Sequence, residues 1–382
     1  MYSWKSCFNK QLMLILLTFL LVTSIGITSG KTHIKENNTL MEEQLIIAEL
    51  YHIENTGGDT FQSLVNGEYL FVIDMQAGLK VYSIEDLTNP ILVDSFYDGG
   101  IPHNMFIEGD YLYLADHYQG LEIYDISTPE EIVRVGRITD DGDGEIDGVY
   151  VNENRAFVAE WHDSTWSWSM KIINVTNPTL PQLISEYTDD DNEFVRFHVE
   201  NDICFTSCIG SGFKILNVSD PLNIVELDRY NDGGFSFDFK IVNNRAFIAD
   251  GDDGLEILDV SNITDIYEIG NYTTSNPAFG IDVYEDYVFL GINEVGVNVL
   301  NVSDFSIPVK IGEFGADKIV GVTYNKNTIF LSMHQDGLLI LEVNFGETNK
   351  TSISFITLAL ILPVIILHRI KKDKKQYSKS KD

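Results

Sequence analysis

Gly254-Leu-Glu-Ile-Leu-Asp-Val-Ser261 is a short apolar run opened by a glycine and closed by turn-forming residues. That composition reads as one β-strand between two turns. The phrase recurs as Gly78-Leu-Lys-Val-Tyr-Ser-Ile84, Gly120-Leu-Glu-Ile-Tyr-Asp-Ile-Ser127, Met170-Lys-Ile-Ile-Asn-Val-Thr-Asn-Pro178, Gly212-Phe-Lys-Ile-Leu-Asn-Val-Ser-Asp-Pro221, Gly296-Val-Asn-Val-Leu-Asn-Val-Ser303 and Gly337-Leu-Leu-Ile-Leu-Glu-Val343. With Ser169 matched to the leading glycine of the third copy, the steps are 42, 49, 43, 42, 42 and 41 residues. A period held over seven copies is the mark of a repeat architecture.

Outward from the phrase, each copy carries four strand signals. In the fifth they are Phe237–Val242, Arg245–Asp250, Leu255–Val260 and Tyr267–Tyr272, with Asn243-Asn244, Gly251–Gly254 and Ser261-Asn262 at the turns. Four short antiparallel strands in some 42 residues describe a propeller blade, which must bury its faces against neighbouring blades. The seventh copy stops after its third strand, and Leu45-Ile-Ile-Ala-Glu-Leu-Tyr51 resembles the fourth strand of other copies, such as Ile91–Phe96. The fold expected is therefore all-β: a seven-bladed propeller over residues 44–345, closed by its own N-terminal strand.

The phrase Gly-Leu-x-Ile-x-Asp-Val-Ser-Asp-Pro, best seen in Gly212–Pro221 and Gly254–Ser261, resembles the LVIVD repeat. The resemblance covers roughly residues 44–345 and implies a secreted or surface-attached prokaryotic propeller. It carries no catalytic signature. The third copy departs from it with an insertion, His162–Ser169, and the sixth and seventh lack the usual Asp-Pro.

The two ends point to a compartment. Lys5 and Lys10 precede an uncharged run from Gln11 to Gly30, so residues 1–30 read as a secretory signal, cleaved or retained as an anchor, followed by a linker over 31–43. After a second linker, 346–350, residues 351–368 are uncharged and rich in Ile and Leu, the length of a membrane-spanning helix. The tail, 369–382, adds seven basic and two acidic residues, a positive-inside signal. The expectation is a single-pass cell-membrane protein with the propeller outside and the C-terminus in the cytoplasm.

Charge sharpens this. The chain holds 25 Lys and Arg against 58 Asp and Glu, a net −33, and residues 31–368 alone hold 16 against 56, or −40. A domain so acidic repels phosphate backbones, which excludes nucleic acid as a general partner. The acids cluster at blade-to-blade turns and at the ends of second strands, where Asp74, Asp116, Glu160 and Asp250 stand. Both positions open on one end of the ring. Asp141, Asp143, Glu145 and Asp147 alternate, which suits Ca²⁺, although the EF-hand pattern is not met. The competing explanation is that Asp and Gly are turn formers copied with the repeat.

Histidines gather there too: His117 follows Asp116, His162 follows Glu160 and Trp161, His334 occupies the column of His117, and His103 lies at the start of the second blade. Trp161, Trp166 and Trp168 fall at or within the one insertion, either as exposed aromatics of a protein- or glycan-recognition surface or as a loop folded back to cover its own ring end. Arg196 and His198 lie on an inner strand, which would let one of them line the channel; the competing role is that of a satisfied structural residue. Cys204 and Cys208 are too far apart along one strand to form a disulfide together. Glycan acceptor sequons include Asn37 and Asn349 in the linkers; Asn174, Asn217 and Asn301 match through repetition of the phrase, and Asn262 and Asn271 complete the set. The function expected is a membrane-anchored extracellular binding or adhesion module with an acidic loop face. The alternative is a metal-dependent, lactonase-like hydrolase using the carboxylates and histidines at the channel mouth.

Overall fold

In the computed structural model the described residues are 45–54, 56–139, 144–162, 164–188 and 193–345. They form seven four-stranded antiparallel sheets. Six blades are consecutive in sequence: Thr60–Phe96, Pro102–Ile138, Gly144–Thr188, Glu193–Tyr230, Asp238–Tyr272 and Ala278–Phe314. The seventh joins Gly321–Asn325, Thr328–Ser332 and Leu338–Phe345 to the N-terminal strand Leu45–Ile53, which pairs antiparallel with Leu338–Phe345. The ring is thus closed as the repeats imply. Among the described residues no helix is long and apolar enough to cross a membrane. The signal, both linkers, the C-terminal apolar stretch and its basic tail lie outside the described residues.

The core is a series of layers between neighbouring blades. Leu121 and Ile123 of blade two pack with Val149, Val151 and Val158 of blade three, all buried. Second and third strands are buried almost end to end, whereas outer strands alternate towards solvent. This is why the third-strand phrase is the most apolar part of each repeat. Inner strands are stitched across the channel wall. Gln62 Oε1 accepts from Met105 N at 2.8 Å, Asn104 Oδ1 from Val149 N at 2.8 Å, and Asp282 Oδ2 from Tyr324 N at 2.7 Å.

The leading glycine of the phrase has a steric cause. Gly78, Gly120, Gly212, Gly254, Gly296 and Gly337 all have φ between 76° and 117°. A Cβ on any of them would lie 2.0–2.4 Å from a carbonyl oxygen of the outer strand. In blade three the longer hairpin replaces the tight turn, so Ser169 is admitted there. Gly254→Ala is expected to cost about 3 kcal/mol, combining left-handed strain with the clash on Tyr272 O. Gly67→Ala, with φ +64° but open space around it, should cost about 1 kcal/mol. Urea unfolding of the two variants checks the difference, and equal losses would remove the clash from the explanation.

Candidate functional site

The turn after each second strand lies beside the connection entering the next blade. Thr60, opening blade one, exchanges backbone hydrogen bonds with His334 of blade seven at 3.0 and 3.1 Å. His117 O accepts from Ile146 N of blade three at 3.1 Å. Among the described residues members of the two acidic sets meet, Asp98 with Asp116 and Asp232 with Asp250.

Their side chains do different work from that expected. Asp74, Asp116, Glu160 and Asp250 are buried, not displayed to a partner. Three of them brace the inter-blade connection: a Cβ on Gly58, Gly100 or Gly234 would strike the carboxylate of Asp74, Asp116 or Asp250 within 2.2 Å. Ile101 N donates to Asp116 Oδ1 at 2.8 Å. Burial raises Asp116 to about 6 although that amide opposes it. The physical reason is that a loop entering an apolar ring leaves amides to satisfy, and a short acid on the neighbouring strand accepts from them.

Charges of the opposite sign meet these acids from the third strand. Lys80 Nζ lies 3.5 Å from Asp74, and Lys171 pairs with Glu160. In blade two the third-strand residue is Glu122, raised by burial to about 7 and paired with Arg134. In blade five it is Glu256, beside Asp250 and Asp232; burial, then these neighbouring carboxylates, push Glu256 far above the carboxylate range. The sequence reading missed Glu122 and Glu256. The available signal was a charged residue at the third position of an otherwise apolar phrase.

The histidines assemble more closely. His103 Nδ1 donates to Asp147 Oδ1 at 2.5 Å, and His117 Nδ1 donates to the same oxygen at 2.8 Å. His117 Nε2 lies 3.0 Å from Glu145 Oε2. Burial opposes ionisation of Asp147, but the two imidazole hydrogen bonds and charges hold it down at about 2. Burial likewise opposes the charged form of His117, and Asp147 and Glu145 outweigh it, so His117 is raised. The rings of His103 and His117 are 4.7 Å apart, and Phe61 stacks on His103 at 5.6 Å. Glu145 and Asp147 therefore turn to histidines; Asp141 and Asp143, the rest of the expected Ca²⁺ set, lie outside the described residues.

A cavity of about 310 Å³ opens at this mouth, lined among others by Phe61, His103, Asp147, Trp168, Arg196 and His334. Beyond it the channel continues as about 670 Å³, where Arg196 and His198 both reach the wall with Lys240, Asp238 and Asp282. The carboxylates and histidines of this end fall into separate groups. His117 groups with His103 and Asp147, Glu160 and His162 with Glu186, and Asp116 with Asp98 and Glu122.

The insertion ends in a tryptophan cluster. Trp161 meets Trp166 edge-on at 5.9 Å and Trp168 at 5.5 Å. Trp166 is 80 % exposed and left-handed at φ +54°, its N–H donating to His162 O at 2.9 Å. Cys204 and Cys208 are buried free thiols. Asn217 and Asn301 use their side-chain oxygens to accept from Ser219 and Ser303, and Asp259 does the same with Ser261. These repeat sequons are thus copies of a turn cap. Asn37 and Asn349 lie outside the described residues.

The family described as LVIVD repeat matches residues 57–98, 99–140, 143–189, 233–274 and 277–315, more than half the chain. Among solved structures, the crystal structure of the computationally designed Ika8 protein is similar, at 8 % identity and TM-score 0.55, covering 77 % of this chain and 99 % of that one. That likeness concerns the fold alone. No curated protein matches the chain.

Proposed function

The chain belongs to the LVIVD repeat family, and from that premise we propose that it is a membrane-anchored extracellular binding module that holds a protein or glycan partner on the mouth end of its ring. The observation that carries this is Trp166. An indole 80 % exposed to water and held in the left-handed region is costly on both counts. Such a side chain is a natural anchor for a partner, because burying it on binding recovers a large apolar area at small entropic cost. Trp161 meets it edge-on and is itself packed against Trp168. The acids beneath are buried, Asp116 on a loop amide and Asp74 and Glu160 beside lysines, so they shape this end and do not themselves touch the partner.

The membrane and the outer surface enter through the apolar stretch 351–368, the basic tail, and the −40 charge of residues 31–368. A glycan array and capture of cell-surface proteins, each run with wild type and Trp166→Ala, test the reading. Trp166→Ala is expected to weaken the captured interaction roughly 30-fold, the cost of an interface anchor, with unchanged thermal unfolding. Equal binding by both proteins would remove Trp166 from the site. Protease treatment of intact cells should digest the propeller and spare a C-terminal tag; the opposite pattern would reverse the topology.

A further inference from the structure

Among the described residues, four clusters bring at least three carboxylate or imidazole ligand atoms within 4.8 Å of one another. Three contain buried acids whose environment is already accounted for or made only of carboxylates. Asp98 and Glu122 share Arg134, Glu160 pairs with Lys171, and Asp232, Asp250 and Asp253 offer no nitrogen donor. The fourth differs in chemistry. His103, His117 and Asp147 mix imidazole and carboxylate donors, and among the described residues no lysine or arginine forms an ion pair with them.

We infer that His103, His117 and Asp147 form a transition-metal site at the channel mouth, with Zn²⁺ the ion that best suits two imidazoles and a carboxylate. Both rings offer Nδ1, and both converge on one oxygen, Asp147 Oδ1. The three atoms thus already surround one point. A tetrahedral ion with bonds of about 2.1 Å separates its ligands by about 3.4 Å. The present separations of 2.5 and 2.8 Å between nitrogen and oxygen need to widen by less than about 1 Å, as the ion takes the place of two bridging protons.

The surroundings are those of a supported metal site. With its Nδ1 on the metal, His117 keeps Nε2–H for Glu145 Oε2 at 3.0 Å, the carboxylate–histidine–metal arrangement that fixes a ring and its tautomer. Phe61 lies against the His103 ring and limits its rotation. Glu145 lies on the strand that also supplies Asp147, Gly144–Asn152, so the third ligand and the supporting acid come from one strand, while the imidazoles come from blade two. His103 and Asp147 line the 310 Å³ cavity, so a fourth coordination position would face its interior. Arg196 lines the same cavity and its Nη1 donates to Val195 O at 3.1 Å; it forms no ion pair with the three donors, although its charge acts on Asp147. Three protein ligands with one position open to a cavity is the pattern of a site that binds an exchangeable group.

Titration of the full chain with ZnSO₄ by calorimetry, after chelator treatment, tests the inference. Wild type should bind one ion per chain, and Co²⁺ in its place should give the visible absorption of a tetrahedral centre. His103→Gln and Asp147→Asn should each abolish the stoichiometric ion while retaining the β-sheet circular dichroism of wild type. Glu145→Gln should keep one ion with affinity lowered about 10- to 100-fold, the usual cost of a supporting partner. His162→Ala should bind as wild type. Absence of a stoichiometric ion in wild type, or wild-type binding by both His103→Gln and Asp147→Asn, would overturn the assignment. Trp166→Ala should leave the ion in place, which keeps this test separate from that of the partner surface.

Discussion

Removing residues 45–53 is expected to abolish cooperative folding of the ring. The deleted strand supplies the outer edge of blade seven, and its partner Leu338–Phe345 is buried over most of its length. Leu45 and Ile47 pack on the core of blades six and seven, and Leu50, Tyr51 and Ile53 on that between blades seven and one. Five half-buried apolar side chains at about 1 kcal/mol each amount to about 5 kcal/mol, comparable to the whole stability of many domains. His52 Nε2 contacts Asp336 O at 2.6 Å, so the turn of blade seven loses a tie as well. The strand left behind exposes a long apolar edge, the template for strand addition by a second chain. Urea unfolding and sedimentation of the truncated protein check this. The expected outcome is a broad, low transition with soluble oligomers or aggregate. A monomer with the wild-type midpoint would show that the ring does not depend on this closure.

The ring was legible in the sequence because its determinants are local and repeated. A glycine is required at the leading position of the phrase by a carbonyl 2.0–2.4 Å from its would-be Cβ, and the same turn recurs in six blades. Strand closure was legible because Leu45–Tyr51 still looks like an outer strand. The site was legible only in outline. Counting positions placed the acids at one end of the ring, but not the direction of each side chain. Asp74 and Asp250 turn inward against a neighbouring connection that offers space only for glycine, which is a property of two segments some 16 residues apart. The pairing of His103 with Asp147 crosses two blades and follows from ring curvature, to which a linear repeat is blind. The repeat did hold one unused signal: the third-position residues Lys80, Glu122, Lys171, Lys214 and Glu256 are charged within a buried strand, and each requires a counter-charge.

That requirement is met everywhere except blade five, and Glu256→Lys is the substitution that exposes the difference. Blades one and three answer the buried acid with Lys80 and Lys171, blade two answers Glu122 with Arg134, and blade four sets Lys214 3.6 Å from Glu226. Blades six and seven carry Asn298 with Ile292 and Leu339 with Met333, which need no answer. Blade five buries Asp250 and Glu256 together, near Asp232, and Asp250 Oδ1 has no hydrogen-bond partner. Burial first, and then the neighbouring carboxylates, raise both groups, Asp250 to about 6 and Glu256 to about 10. Carboxyls raised on folding favour the folded state fully below the ordinary carboxylate range near 4, and this contribution is lost as pH climbs through the folded values. Wild type should therefore lose stability between about pH 5 and pH 9 from this blade alone. A lysine at position 256 reproduces the pair of blades one and three, supplying a cation for the Asp250 carboxylate in place of a carboxyl whose own ionisation is suppressed. The expected gain is about 2 kcal/mol at pH 8, shrinking towards pH 5 where the wild-type carboxyls hold their protons. Glu256→Gln removes a carboxyl that folding forces to keep its proton, without supplying a cation, so its gain at pH 8 should be smaller, about 1 kcal/mol. Urea midpoints of the three proteins at pH 5 and pH 8 decide the matter. A Glu256→Lys midpoint below wild type at pH 8 would mean that blade five already holds its acids at no cost.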